Sequence, residues 1–376
     1  MKKIIIVGAG GIGKACGLIL LEHFSKGEVK VELADISVSQ CERARRWIYN
    51  GLGKKQEIEI LEIKDLASWN PTGDILLDCT PGRYSVDVAK VALKNNMHYA
   101  NLTEHVSETK EIISITRGSE NGFILQTGLA PGFINVFTNC LVDLFEKSHP
   151  EIQIEHVKMR VGALSPYVTS PSYYAFTWSP VGVSTEYLND AEVLKKGKVQ
   201  MEPSLSQRED LIINGELFEA DLTSGGASDL PDYYKNKIEN LEYKTLRYPG
   251  HYSRVDQLKE MLGNDLNPET LKAKMLDETS FQEDDRVLIY SSVAGRNEAG
   301  YWMEKNKHLE VRPVNFNGIV LTGIQRTTAS ALCQSALLLM AGNLKGPVLQ
   351  SQIPTKPFLS GLFIEQHYGN FYEDFK

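Results

Sequence analysis

The sequence predicts an α/β protein in two parts: a Rossmann unit with a doubly wound parallel sheet, and an α+β domain with a mixed or antiparallel sheet. Over the first third of the chain, short β-branched runs alternate with helical stretches, which is typical of parallel strands joined by crossover helices. After Pro131 the pattern changes to hairpins. The length of 376 residues also exceeds that of one ordinary domain. We therefore expect residues 1–130 to form the first domain and residues 131–337 the second.

The first part is predicted to alternate strands and helices. The predicted strands are Lys3–Val7, Val29–Ala34, Glu57–Ile60, Ile75–Cys79, His98–Asn101 and Gly122–Gln126. The predicted helices are Ile12–Lys26, Ser37–Asn50, Tyr84–Asn95 and Ser107–Asn121. Strands and helices in this alternation fit one doubly wound unit.

The second part mixes helices with hairpins. The predicted elements are a helix at Phe133–Lys147, a strand at Ile152–Val161, hairpins within Leu211–Ala220 and Val287–Val311, and an apolar helix at Thr327–Met340. The Ala- and Leu-rich composition of the last helix predicts burial between the domains. Prolines after Gly346 predict an extended or turn-rich tail.

Composition and charge exclude several classes of protein. Hydrophobic residues make up 42% and charged residues 23%, which is the balance of a globular protein. The formal charge of −8 argues against a nucleic-acid surface, which needs a basic stripe. No apolar run is long enough for a signal peptide or a membrane span, so we expect a soluble, cytoplasmic protein with no membrane partner. The scattered cysteines predict reduced thiols, and no residue cluster has metal-ligand spacing, so no metal is expected.

The stretch Gly8-Ala9-Gly10-Gly11-Ile12-Gly13 matches the dinucleotide-binding pattern G-x-G-x-x-G. It follows a strand of β-branched residues and opens a helix, which is the context that the pattern requires. Gly8 permits the tight turn, Gly10 lets the backbone approach a pyrophosphate, and Gly13 lets the helix pack on the sheet. Gly11 and Ile12 begin the helix, whose N-terminus would face the phosphates. The alternative is a glycine-rich turn without a ligand.

The second strand ends in Asp35-Ile36, roughly twenty residues beyond the last glycine, where a carboxylate binds the ribose of the adenosine. A carboxylate there repels a 2′-phosphate, so NAD is favoured over NADP. Arg43 and Arg45-Arg46 lie further along the helix and could neutralise a phosphate, which leaves NADP open. Asp35 could also cap the following helix.

Polar and apolar residues at the ends of the fourth and fifth strands are predicted to complete the cofactor site. Thr80 and Pro81 follow the fourth strand, and Leu102 follows the fifth. The carboxyl ends of these strands form the edge where the nicotinamide ribose normally lies. Tyr84 is predicted to face the substrate.

Several motifs resemble the saccharopine dehydrogenase family, which includes saccharopine reductases, lysine 6-dehydrogenases and carboxynorspermidine dehydrogenases. They are the glycine loop, Thr80-Pro81-Gly82, Gly128–Asn135, Phe176–Gly182 and Thr245–His251. The resemblance implies a Rossmann domain and an α/β domain with the active cleft between them, and a C-terminal segment from about Leu338 that returns to the cofactor domain. It also implies NAD(P)-dependent hydride transfer at the C–N bond of a lysine-like amino acid, followed by hydrolysis of the imine.

Two positions depart from the saccharopine reductases. These enzymes usually carry an aspartate where this chain has Ala130, and a cysteine where it reads Arg160-Val161-Gly162. The segment Arg247–His251 looks more like lysine 6-dehydrogenases, so an activity of that type is favoured. Saccharopine dehydrogenase proper and carboxynorspermidine dehydrogenase are alternatives, and a non-catalytic NAD(H)-sensing regulator is an alternative of another class.

Chemistry on an amino acid needs a cation for the carboxylate and a base for the ammonium group. Arg247 is the predicted anchor, with a domain-interface salt bridge as the alternative. His251 is the predicted base or proton relay, with packing at the start of the following helix as the alternative. Glu104, beside His105 at the end of the fifth strand, could meet the amine or begin the next helix.

Further residues are predicted to shape the substrate site. Tyr174 could line the cleft or lie in the core, and Gly128 could line the cleft or shape the crossover between the domains. Ser224–Asp229 looks like a mobile loop or lid, with a phosphate-binding nest or a plain connection as alternatives. The sheet of the second domain and the helix Thr327–Met340 make a homodimer the expected assembly.

Overall fold

The computed structural model describes residues 1–24, 27–53, 57–104, 106–167, 170–279 and 281–372. His105 and the predicted helix end at Lys26 lie outside these residues. The first part of the chain contains β1 (Lys2–Val7), α1 (Gly11–His23), β2 (Val29–Asp35), α2 (Val38–Leu52), β3 (Ile58–Glu62), β4 (Ile75–Asp78), α3 (Ser85–Lys94), β5 (His98–Asn101), α4 (Val106–Thr116) and β6 (Gly122–Ile124). The predicted alternation of strands and helices is therefore confirmed.

The second part begins with a long helix and continues through hairpins. It contains α5 (Phe133–Ser148), β7 (His156–Leu164), α6 (Pro180–Leu188), β8 (Ala191–Lys195), β9 (Lys198–Glu202), β10 (Glu209–Ile213), β11 (Glu216–Leu222), α7 (Leu230–Tyr233), β12 (Asn240–Arg247), α8 (His251–Leu262), α9 (Pro268–Glu278), β13 (Arg286–Arg296), β14 (Trp302–Val311), β15 (Val314–Phe316), β16 (Ile319–Leu321) and α10 (Gly323–Met340). The chain then continues through β17 (Gly346–Val348), α11 (Thr355–Leu359) and α12 (Leu362–Tyr368).

Within the described residues, the first sheet has seven parallel strands in the order β17-β6-β5-β4-β1-β2-β3. The chain winds from β1 outward through β2 and β3, and β4 then returns to the other side of β1. The carboxyl ends of β1 and β4 therefore flank the point where the strand order reverses, which is where ligands bind in open α/β sheets. The apolar run Ile4–Val7 is buried in the centre of this sheet, because helices cover both of its faces.

The second sheet is mixed, as the sequence predicted. Its described strands run in the order β10-β11-β12-β7-β13-β14, with β8 paired to β12 and β9 paired to β8. Only the pairing of β12 with β7 is parallel among these strands. The hairpin β10–β11 turns at Asn214-Gly215, where both residues have positive φ.

Helix α10 contacts strands of both sheets, α5 packs against β7 and β13 of the second sheet, and residues of both helices belong to one apolar core. The core extends from Ile4 in β1 to Val157 in β7 and Ile289 in β13. On the α1 side, the Cys333 thiol of α10 donates to the Cys16 carbonyl at 3.8 Å, and the Cys16 thiol donates to the Ala329 carbonyl at 3.9 Å. The close packing of α10 agrees with the burial predicted for this helix.

Several predicted boundaries were wrong, each for a local reason. Helix α10 begins at Gly323 rather than Thr327, because Thr322 and Gln325 form a capping box one turn earlier. Strand β6 ends before Gln126, whose φ of 61° is incompatible with a strand. Strand β7 begins at His156 rather than Ile152, and the segment before it belongs to no strand.

The tail after Gly346 is more ordered than the extended segment that its prolines predicted. Strand β17 pairs with β6 in the first sheet, from Gly346 opposite Gly122 to Val348 opposite Ile124. Pro357 lies in the first turn of α11, where its missing N–H would have no partner within the helix. The pairing of β17 places this segment beside the first sheet, while the domain boundaries at residues 130 and 338 stay predictions.

Candidate active site

The glycine loop connects β1 to α1 at the point where the strand order reverses. Gly8 has a φ of 92°, and a methyl group there would lie 2.8 Å from the carbonyl carbon and oxygen of Cys79. A methyl group on Gly13 would overlap the Gly8 carbonyl oxygen. Gly10 differs, because a methyl group there would have no neighbour within 4 Å. Gly8 and Gly13 are therefore required by the fold, whereas the open space at Gly10 fits the approach of a bound group.

The backbone of α1 is suited to an anion. The N-cap residue is Gly10, which has no side chain to cap the N–H groups of the first turn. The first N–H groups of a helix have no partner within the helix, and together with the helix dipole they bind phosphate groups. The residues present therefore fit the pyrophosphate of a dinucleotide, and contacts of Gly10, Gly11, Ile12 and Gly13 with it stay a prediction.

Asp35 lies at the end of β2 and contacts the glycine loop. Its carboxylate accepts hydrogen bonds from the main-chain N–H of Ala9 at 2.8 Å and of Ser37 at 3.0 Å. Ile36, the next residue, is 77% exposed. Ser37, not Asp35, caps α2 by accepting from the Gln40 N–H at 3.3 Å. Asp35 therefore lies at the carboxyl end of β2 against the glycine loop, and its role in binding the adenosine ribose stays a prediction.

A cation lies on the same side of the loop. Arg43 donates to Gln40 Oε1 at 2.5 Å, and Gln40 Nε2 donates to the Ala9 carbonyl at 2.9 Å. Arg45 instead points toward β3, where it donates to the Ile58 carbonyl at 3.5 Å. Of the arginines that the sequence left open as phosphate partners, Arg43 is the one linked to the loop.

Thr80 and Pro81 follow β4 on the other side of β1. Both the N–H and the hydroxyl of Thr80 donate to Asp78 Oδ1, at 2.9 and 2.6 Å, and the Tyr99 hydroxyl donates to Asp78 Oδ2 at 2.7 Å. Burial raises the pKa of the Asp78 carboxyl, which these donors partly offset. Because the Thr80 hydroxyl hydrogen is used by Asp78, its oxygen can only accept a hydrogen bond from a cofactor.

The remaining sequence-predicted residues of this edge lie on turns beside it. Pro81 precedes a short 3₁₀ turn, Gly82–Tyr84. Tyr84 is 38% exposed and packs against the Arg83 guanidinium, whose carbon lies 4.8 Å from the ring centre.

Leu102 follows β5, and its Cδ2 would lie 3.4 Å from a methyl group on Gly128. Gly128 and Gly132 form a tight turn in which the Gly128 N–H donates to the Pro131 carbonyl at 2.9 Å. Gly128 therefore shapes the crossover between the two sheets.

Gln325 of α10 also contacts the glycine loop, although sequence reasoning missed it. Its Nε2 donates to the Gly11 carbonyl at 3.1 Å. The pattern Thr322-x-x-Gln325 is a capping box, so the sequence signalled a helix start there but not a contact with the loop.

Arg247 is deeply buried at the end of β12. The residue is 1% exposed, with its Nε donating to the Tyr187 hydroxyl at 2.7 Å and its Nη1 donating to the Leu246 carbonyl at 2.9 Å. The guanidinium carbon lies 4.6 Å from the centre of the Tyr174 ring. The hydroxyl of Tyr174 is itself buried and has no hydrogen-bond partner among the described residues. Arg247 is therefore held between two tyrosines, and its role as a carboxylate anchor stays a prediction.

His251 begins α8 and completes the same network. The Ser172 carbonyl, 2.7 Å from Nδ1, can only accept, so Nδ1 carries the hydrogen. Nε2 then accepts from the Tyr187 hydroxyl at 2.9 Å. Burial and the charge of Arg247 lower the pKa of His251 to about 3. Both ring nitrogens are thus occupied and the ring stays neutral, which opposes the predicted general-base role and favours packing at the helix start.

The strongest acid–base candidate is Glu186, which sequence reasoning missed. It lies on α6, is only 9% exposed, and its carboxylate has no hydrogen bond or ion pair among the described residues. Burial raises its pKa to about 8, the positive charge of Arg247 lowers it, and the negative charge of Glu104 raises it. The segment Phe176–Gly182 lies just before Glu186 in the sequence, but nothing in that motif indicated that the next turn carries a buried carboxylate.

Glu104 reaches this cluster from the first sheet. A methyl group on Gly225 would lie 3.0 Å from Glu104 Cβ, so the two backbones are in close contact. The Gly225 segment is also next to α6, because the Ser224 N–H donates to the Glu186 carbonyl oxygen at 3.1 Å. The structure therefore brings Glu104, Glu186 and Arg247 within electrostatic range, from three separate elements.

The segment Ser224–Asp229 is tied to both parts of the chain. Asn135 Nδ2 donates to the Gly226 and Ala227 carbonyls at 3.1 and 3.0 Å. Ser228 donates to Gln126 Oε1 at 2.9 Å. These bonds make the segment a fixed connection rather than the lid that its composition indicated.

Two findings concern the rest of the described chain. No group of three His, Cys, Asp or Glu side chains in the described ranges could hold a metal ion. Among the same residues, no helix has the length and the apolar character that crossing a bilayer requires.

The chain was compared with known protein families. Residues 4–120 match the saccharopine dehydrogenase NADP binding domain, and residues 128–364 match the saccharopine dehydrogenase C-terminal domain. The mitochondrial α-aminoadipic semialdehyde synthases of Rattus norvegicus and Bos taurus are each 23% identical over 206 residues, which is 53% of this chain. The chain spans about one fifth of the length of these curated relatives, since the match covers 21% of each.

Two solved structures share the fold over almost the whole chain. Saccharopine dehydrogenase (L-Glu forming) from Saccharomyces cerevisiae superposes with a TM-score of 0.72 at 16% identity, covering 98% of both chains. Homospermidine synthase from Legionella pneumophila, in complex with NAD, superposes with a TM-score of 0.69 at 13% identity. That match covers 98% of this chain and 90% of the other.

Proposed function

Because the chain belongs to the saccharopine dehydrogenase family, an NAD(P)-dependent class of oxidoreductases, we propose that it oxidises the C–N bond of a lysine-like amino acid. A lysine 6-dehydrogenase-like reaction is favoured. The carbon bearing the amine loses a hydride, which the bound nicotinamide ring accepts, and the amine loses a proton. The resulting imine is hydrolysed by water to a carbonyl group and ammonia.

The observation that carries this proposal is the buried, unpaired carboxylate of Glu186. An ammonium group must lose a proton before the neighbouring carbon can release hydride, and a base with a pKa near the working pH performs this step best. The pKa of Glu186, raised to about 8, fits that requirement. With Glu104 contributing a second negative charge, the cluster also attracts the cationic amine of the substrate.

Arg247 is given a different role from the one that the sequence suggested. Its burial between Tyr174 and Tyr187 favours an electrostatic function, in which its charge lowers the pKa of Glu186 and keeps that carboxyl able to ionise. His251 holds Tyr187, and Tyr187 holds Arg247, so His251 is proposed as a positioning residue. Tyr174 supports the guanidinium from the other side.

NAD is proposed as the preferred cofactor. Asp35 lies against the loop at Ala9, and its carboxylate favours ribose hydroxyls over a 2′-phosphate. Arg43, linked to the loop through Gln40, is the residue that would accommodate NADP. A homodimer stays a prediction, as does a cytoplasmic location.

The proposal is tested by a substrate panel of L-lysine, saccharopine, carboxyalkyl polyamines and diamines, each with NAD and with NADP. The readout is the absorbance of the reduced cofactor at alkaline pH. Turnover of lysine with NAD is the expected result. Turnover of saccharopine or of a polyamine alone would move the assignment to that substrate. Tight cofactor binding with no turnover on the whole panel would contradict an enzyme and support an NAD(H)-sensing regulator.

A further inference from the structure

The contact between α10 and the glycine loop links distant parts of the chain. Gln325 lies in the first turn of α10, and its Nε2 donates to the carbonyl of Gly11, the first residue of α1. Gln325 therefore contacts the glycine loop although it lies more than 300 residues further along the chain.

The Gln325 amide is held in position from its other end. Its Oε1 accepts from the Thr322 N–H at 3.1 Å, and its own N–H donates to the Thr322 hydroxyl at 3.2 Å. This capping box fixes the side chain, so the remaining donor points at Gly11 with little rotational freedom to lose. A side chain that is already ordered positions its partner at low entropic cost.

The start of α10 is itself anchored to the second sheet. Asp285, fully buried just before β13, accepts from the Gly323 N–H at 2.5 Å and the Ile324 N–H at 2.8 Å. Gly323 is confined there, since a methyl group would lie 2.9 Å from the Val311 carbonyl oxygen. The sequence of contacts from Asp285 through α10 to Gly11 is therefore continuous.

We propose that Gln325 is a positioning residue for the dinucleotide, because it fixes the Gly11 peptide and thereby the N–H groups at the start of α1. The second part of the chain thus helps to set cofactor affinity. The inference rests on the dinucleotide site of the proposed function, but it does not depend on which substrate is oxidised.

The test compares three variants of the full-length chain by direct titration of NADH fluorescence and by thermal unfolding. Gln325→Glu keeps the acceptor for the Thr322 N–H and is a favourable capping-box residue, but it loses the donor and places a negative charge beside the Gly11 carbonyl and the pyrophosphate site. We expect its NADH Kd to rise by about tenfold or more while Tm stays close to that of the wild type.

Two further variants separate capping from loop contact. Gln325→Ala loses both interactions, so its Kd should rise about two- to tenfold and its Tm should fall. Thr322→Ala removes the hydroxyl that caps α10 but leaves the Gln325 amide and the Thr322 N–H, so its Tm should fall while its Kd stays within about twofold of the wild type.

The outcomes are distinguishable. If Gln325→Glu binds NADH as tightly as the wild type, the positioning role is wrong even though the cofactor site stands. If affinity in all three variants follows Tm alone, Gln325 acts only on stability and the proposal is also overturned. If the wild type itself does not bind NADH or NADPH, the proposed function fails first.

Discussion

The two ends of the candidate active site are built on different principles. The dinucleotide end is made of main chain, with Gly8, Gly10 and Gly13 in one short stretch and open space at Gly10. The other end, where the proposed amine substrate would lie, is made of side chains from separate elements, with Glu104, Glu186 and Arg247 brought together by packing. The first end works through helix N–H groups, and the second works through buried charge.

Burial explains the contrast in chemistry. At the dinucleotide end the phosphates supply the charge, and the protein only has to present dipoles to it. At the proposed amine end the protein supplies the charge itself, and exclusion of water raises the pKa of Glu186 to about 8. A substitution should therefore affect cofactor affinity at the first end and proton transfer at the second.

Glu186→Gln should produce the largest effect. The amide keeps the shape of the side chain but cannot take a proton, so kcat/KM for amine oxidation should fall by a factor of about 100 to 10,000. The Kd for NADH should not change, because Glu186 belongs to the other end. Steady-state kinetics and NADH titration measure the two quantities.

Glu192→Gln is the matched control for that variant. Glu192 lies on β8, is partly buried, and has a pKa that burial also raises, but it is not part of the cluster. Its removal should leave kcat/KM within about twofold of the wild type. A Glu186→Gln enzyme that retains full activity would exclude Glu186 as the base.

Gly10→Ala and Gly13→Ala should separate ligand binding from folding. A methyl group at Gly10 meets no protein atom, so Tm should stay unchanged while the Kd for NADH rises by about tenfold or more. A methyl group at Gly13 overlaps the Gly8 carbonyl, so Tm should fall by several degrees. Equal losses of Tm in both variants would contradict the assignment of the open space to a ligand.

The pH profile of kcat/KM should report the Glu186 cluster. Glu186 is active as a base only when it is deprotonated. The value of kcat/KM should therefore rise with pH and level off above an inflection at about pH 8. Glu104→Gln removes a like charge that raises this pKa, so the inflection should move to lower pH. Comparing the two profiles cancels the titration of the substrate's own amine. An inflection that does not move would show that Glu104 is remote from the base.

Acid should destabilise the protein through its buried histidines. The pKa of His251 is lowered to about 3 by burial and by Arg247, below an unfolded value of about 6.5. The unfolded chain therefore binds the proton first, so stability is complete above about pH 6.5 and falls by up to about 1.4 kcal/mol per pH unit toward pH 3.

The measurement is Tm between about pH 7 and about pH 5 for the wild type and His251→Asn. The variant should lose less stability over that range. His367, whose pKa burial also lowers to about 3, continues to titrate in both proteins and limits the difference. Identical slopes would indicate that His251 is not held neutral in the folded state.

Local patterns predicted what depends on contiguous residues. The β-branched runs, the Asn214-Gly215 turn and the glycine loop each fix their own conformation, and the structure has them where the sequence placed them. Patterns failed where a partner elsewhere decides. The prolines of the tail predicted an extended or turn-rich segment. The tail instead forms β17, which pairs with β6, and α11, whose first turn accommodates Pro357.

The candidate site divides in the same way. The positions of Asp35 and Thr80 at strand ends could be predicted, because parallel strands all end at one edge, while their contacts with a cofactor stay predictions. Arg247 and His251 were found as residues, but their roles could not be assigned, since the low pKa of His251 and the enclosure of Arg247 come from Tyr174, Tyr187 and Ser172. Glu186 gave no signal, because a carboxylate on an ordinary helix has an unusual pKa only after burial.

The sequence by itself determined the Rossmann unit, the mixed second sheet and the dinucleotide loop, because each follows from short-range periodicity and from backbone conformations that glycine favours. Only the tertiary structure decided which charges meet. The charges of Glu104, Glu186 and Arg247 interact, and Gln325 contacts the glycine loop, because elements that are distant in the chain pack together. Desolvation and Coulomb interaction depend on three-dimensional distance, which a linear pattern does not contain.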